Sequence, residues 1–149
     1  MIELTKDLLT KKAEEVAKEN LNQRDKKATS TQIRKFYDDF LLLHMKCHTK
    51  DFNDSRFEKE ILPMIFFSKA KLAYAVGRKV LDIKFKDSIE QELDKIDCIK
   101  AFDNFILFYQ AIIGYSKFLG IGEEKKGGNS YPNKTSLKKS NDYNNWRKK

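Results

Sequence analysis

Cysteine, histidine, proline and glycine are all scarce in this chain. Its 149 residues include two cysteines, two histidines, two prolines, six glycines and one tryptophan. Two cysteines, Cys47 and Cys98, cannot build a disulfide framework, so a reduced, cytoplasmic setting is the expectation. So few glycines and prolines argue against a strand-and-turn fold. Gly77, Gly114, Gly120 and Gly122 fit no phosphate-binding loop. Glu3 and Asp7 stand close behind Met1, where a secretory signal would carry a basic region and an apolar run.

Charge and apolar residues are plentiful. Charged residues make up 35% and hydrophobic residues 40%, which excludes a wholly disordered chain. Lys and Leu are the commonest residues, and both favour helices. The net charge is +8, and residues 120–149 carry eight basic against three acidic side chains. The tail is therefore strongly basic and the body only mildly so. Excess positive charge points to anionic partners, nucleic acid first, with solubility alone as the plainer explanation.

Helical periodicity organises the body. Residues 2–20 read as a first helix with a thin stripe of Leu9, Ala13, Val16 and Ala17. Asn20 to Thr29 is polar and reads as a linker. In "TSTQIRKFYDDF", Thr29 and Gln32 have the spacing of a capping box, so a second helix is expected to start there and run to His48. Its stripe is Ile33, Phe36, Tyr37, Phe40, Leu43 and Cys47. A third helix spans about Ser55 to Leu81, burying Ile61, Leu62, Ile65, Phe66, Leu72, Ala73, Val76 and Val80. Pro63 either kinks it or starts its main part. Asp87 and Glu90 repeat the capping signature and predict a fourth helix from Ser88 to Cys98.

Ile99 to Leu119 is the most apolar stretch, and Gly120 ends it. Lys100, Asp103, Asn104, Gln110 and Lys117 interrupt it, which argues for a core or interface helix over a membrane span. The fold expected is all-α: a compact bundle of about five helices over 1–119, to which the first helix could be peripheral. A flexible basic tail follows over 120–149.

Catalytic chemistry is hard to find. His44, Cys47 and His48 lie within about one helical turn, and Cys98 would complete a Cys2His2 set. The usual paired-ligand spacings are missing, and Cys47 falls on the apolar stripe, so neither a metal nor another cofactor is expected. The Arg-then-His spacing of several helical RNases is also missing: Arg34 stands ten residues before His44. No acidic residues converge into a readable pair, so the chain reads as non-catalytic.

Binding residues are easier to name. Arg34 and Lys35 sit in the first turn of the expected second helix, where cations oppose the macrodipole but the free N–H groups attract anions. Lys46 lies further along, away from the core stripe. Lys71, Tyr74 and Arg78 fall at i, i+3 and i+7, with Lys69 and Lys79 beside them. Such a strip can follow a nucleic-acid backbone, Tyr74 packing on a sugar or base. The alternative is a solvated helix face on a protein–protein adaptor with no RNA contact.

"TSTQIRKFYDDF", "ILPMIFFSKAKLAYAVGR" and "FDNFILFYQAIIGYSKF" occur in that order between Thr29 and Phe118. Together they resemble the small subunit of type III-A (Csm) CRISPR effector complexes. The resemblance implies a helical bundle without catalytic activity. It implies several copies stacked inside a ribonucleoprotein filament, beside the backbone subunits that hold the guide RNA. Such a subunit lines the groove where guide and target RNA pair, and abuts the large polymerase-like subunit. By position the resemblance assigns RNA contact to Arg34, Lys35, Lys69 and Arg78. Lys46, Lys71, Tyr74 and Lys79 join them from face geometry. No membrane partner is expected, and the tail matches nothing in the family pattern.

Overall fold

The computed structural model describes residues 2–121, and they form an all-α bundle of five helices. Helix α1 covers residues 6–18, a π-helical turn at Leu8–Lys12 running into the α-helical segment Ala13–Lys18. Helix α2 is Lys26–Cys47. Helix α3 covers residues 54–77, again with a π-helical turn, Phe57–Ile61, before its main part, Leu62–Gly77. Pro63 follows directly on that π turn, in the first turn of the main part. Helices α4, Ile83–Leu93, and α5, Ile99–Phe118, complete the fold.

Helix α5 is the hub because it is apolar on most of its circumference. It packs on both α1 and α2. Ala13 and Ala17 of α1 are fully buried, and their small side chains let the helices approach closely. Helix α4 packs on α1 and α3, and the π turn of α3 reaches α2. Phe36, Phe40, Phe102, Phe105, Phe108 and Tyr109 fill the centre, each buried aromatic contributing about 1.5–3 kcal/mol. The Phe40 and Phe105 rings meet edge-on at 5.1 Å. The buried Tyr109 hydroxyl donates to the Ile33 carbonyl at 2.8 Å, pinning α5 to α2. Burial pushes its phenol pKa well up.

Two expected helix starts are wrong for one reason. Helix α2 begins at Lys26, not Thr29, because the Asp25 carboxylate accepts from the Ala28 N–H at 3.0 Å. Thr29 is buried inside the helix, and its hydroxyl donates to the Asp25 carbonyl. Likewise Asp82, not Asp87, caps α4 by accepting from the Lys84 N–H at 2.8 Å. In each case an earlier aspartate captures the free N–H groups. The expected linker shrinks accordingly, and Asn20 within it is fully buried. Helix α3 stops at Gly77, short of Leu81, and Phe66 and Ala73 are exposed instead of buried.

The end of α5 follows the glycine signal. Gly120 adopts φ 80°, its N–H donates to the Lys117 carbonyl, and the Ile121 N–H donates to the Ser116 carbonyl at 2.9 Å. These two hydrogen bonds close the helix and fold Ile121 back into the core, two residues beyond the expected domain limit. Of the basic tail expected over 120–149, all from residue 122 onward lies outside the described residues. No helix among the described residues is long and apolar enough to cross a membrane.

Candidate nucleic-acid interface

Helix geometry sorts the candidate cations, since each residue turns about 100° from the last. On α3, Met64, Phe67, Lys71 and Tyr74, with Arg78 just past its end, recur at alternating steps of three and four, and all are exposed. Tyr74 is 69% exposed, so it is not a core residue. Arg78 lays its guanidinium over the Tyr74 ring at 5.8 Å, and the Lys71 ammonium lies 5.7 Å from the Phe67 ring. On α2, Lys35, Leu42 and Lys46 share the side of the helix that carries Asp39. Lys71 Nζ reaches Asp39 Oδ2 at 3.6 Å and joins the two stripes into one surface. Lys35, Lys46, Lys71, Tyr74 and Arg78 therefore belong together.

The other candidates lie elsewhere. Arg34 and Lys35 are not in a first turn, because α2 begins eight residues before Arg34. The anion-attracting corner inferred at Thr29 does not exist: the Thr29 N–H is already donated to the Asp25 carbonyl. The first-turn cations are Lys26 and Lys27. Arg34 is turned about 100° from Lys35. It lines a cavity of about 120 Å³ between α2 and α5 with Ser30, Ile33, Ser116 and Lys117. The buried Ser116 hydroxyl there has no hydrogen-bond partner among the described residues. Lys69 lies two residues, about 200°, from Lys71. Its ammonium is paired with Asp94 at the end of α4 and lies over the Phe66 ring. Lys79 follows α3 in the left-handed region at φ 64°. It occupies the position that usually holds glycine, and the Val80 N–H closes the helix on the Ala75 carbonyl.

Cys47 is buried, its thiol donates to the Leu43 carbonyl at 3.4 Å, and burial, helped by Asp103, raises its pKa to about 11. The four-residue ligand set built on both cysteines is therefore not assembled around it. Spacing could not reveal Asp103 of α5, which both His44 and His48 approach. The i, i+4 histidine pair was the available signal.

Fold and surface define a small helical module whose exposed helix faces mix cations with aromatic and aliphatic side chains. The chain belongs to the Csm2 type III-A family, whose model matches residues 3–121. It is a small structural subunit of the type III-A CRISPR effector complex. The match includes α1, which lay outside the stretch of sequence resemblance. No curated protein and no solved structure matches the chain.

Proposed function

We propose that this subunit is a non-catalytic, RNA-binding part of the complex, lining the groove where guide and target RNA pair and working in the cytoplasm in antiviral defence. The observation that carries this reading is the joined α2–α3 surface. Lys35, Lys46 and Arg78 make no ion pair there with any described residue, and Tyr74 is largely exposed, with Arg78 over its ring. Phosphate contacts of this kind carry no sequence information, which suits a complex whose target choice belongs to base pairing. Arg34, Lys69 and Lys79 lie off this surface, and any RNA contact they make is a separate one.

The partners are the guide and target RNA, the backbone subunits, the large polymerase-like subunit and further copies of this chain. Exposed apolar residues support the protein contacts. Leu42, Met45, Met64 and Phe67 border the cationic stripe, and Phe118, 80% exposed, closes an apolar groove with Ala111, Gly114 and Tyr115. Co-purification tests the reading. The wild-type chain should bring down a ribonucleoprotein containing a short guide RNA. The double variant Lys35→Glu/Arg78→Glu should lower RNA retention about tenfold, at an unchanged helical circular-dichroism spectrum. Retention equal to wild type would place the RNA elsewhere.

A further inference from the structure

We propose that His44, His48 and Asp103 bind one divalent transition-metal ion of the zinc type, clipping the end of α2 to the start of α5. The histidines are four residues apart and share one face of α2. Asp103 lies in the second turn of α5. The three side chains bring one possible ligand atom each close together. His44 Nε2 and His48 Nε2 are 3.2 Å apart, and they lie 2.6 and 2.9 Å from Asp103 Oδ1.

Those spacings are close to what a metal requires. Two ligands ~2.1 Å from a zinc ion stand about 3.0 Å apart at a right angle and about 3.4 Å apart at the tetrahedral angle. Small side-chain movements would therefore admit the ion. The alternative, hydrogen bonding alone, serves the cluster poorly. A neutral imidazole carries one N–H. If both histidines donate to Asp103, two parallel N–H dipoles sit side by side. If His48 donates to His44 instead, the accepting His44 Nε2 carries no proton and meets the carboxylate lone pair to lone pair. A cation satisfies all three atoms together.

The surroundings fix the ligands and the metal class. The His44 ring meets the edge of Phe102 at a centroid distance of 5.6 Å. His44 and Asp103 are 21% and 29% exposed, while His48 is 51% exposed. The inner ligands are thus held by packing, and the outer side is open to water as a further ligand. Cys47, although adjacent in sequence, turns its sulfur into the core. Two imidazoles and one carboxylate suit zinc, cobalt or nickel, not calcium or magnesium, which prefer oxygen donors.

Titration of chelator-treated, untagged full-length protein with zinc chloride tests the site. One ion should bind per chain, and saturation should raise Tm by roughly 5 °C. His48→Gln, at a largely exposed position, should weaken binding at least about tenfold, as should Asp103→Asn. Cys47→Ala and Cys98→Ser should leave the affinity unchanged. The cobalt-loaded wild-type protein needs no variant and should show d–d bands without a sulfur-to-metal charge-transfer band. Three results would overturn the proposal: no stoichiometric binding by the wild type, wild-type affinity in both ligand variants, or a thiolate band.

Discussion

Glu19, just past the end of α1, shows how one side chain can hold a measurable stress. Partial burial raises its pKa, the hydrogen bond from the Ser88 hydroxyl opposes that, and nearby Asp82 and Asp87 add to the rise. A carboxyl whose folded pKa is raised favours the fold most when protonated. Its contribution is therefore fullest below the ordinary value of 4.5 and is lost as pH climbs through the raised folded value. Glu19→Gln should then raise Tm at pH 7 by about 1–2 °C, the size of a surface-charge effect. The gain should vanish near pH 4. A gain that persists in acid would point to packing instead of charge. Glu92, by contrast, is buried but held by Lys12 at 2.5 Å and Lys95 at 3.1 Å, an arrangement whose disruption would leave a buried charge alone.

At the scale of helices, sequence pattern and structure part mostly at the ends. The α5 stripe was legible because its apolar residues recur over a long span and Gly120 closes it. The starts of α2 and α4 were not, because Asp25 and Thr29, or Asp82 and Asp87, offer equivalent cap chemistry a few residues apart. The tertiary fold decides between them by burying Thr29. The cationic stripe on α3 was visible as a spacing, which also turns Lys69 away from it, but the pairing of Lys69 with Asp94 needed the fold. Asp103 could not be paired with His44 from spacing, 59 residues away. The Lys79 turn is a further case. A non-glycine residue at φ 64° costs about 1 kcal/mol. Lys79→Gly should stabilise the fold by about 0.5–1 kcal/mol in urea unfolding. Weaker RNA binding in the same variant would identify Lys79 as a cation kept at a structural cost, whereas unchanged binding would remove it from the interface.

The whole molecule joins a hydrophobic centre built on α5 to a mixed cationic and apolar exterior on α2 and α3. Its family places it in a multi-subunit assembly. The central claim is that the α2–α3 surface neutralises RNA phosphates. The most direct measurement is the salt dependence of the full-length chain's affinity for a short single-stranded RNA, compared with Lys35→Glu/Lys71→Glu/Arg78→Glu. Each phosphate neutralised contributes about −0.7 to the slope of log K against log salt. The basic residues beyond 121 are present in both proteins, so the difference between slopes reports this surface alone. The account predicts a slope shallower by about 2 in the variant, with the fold intact. Equal slopes would contradict it and favour a helical adaptor that touches only protein.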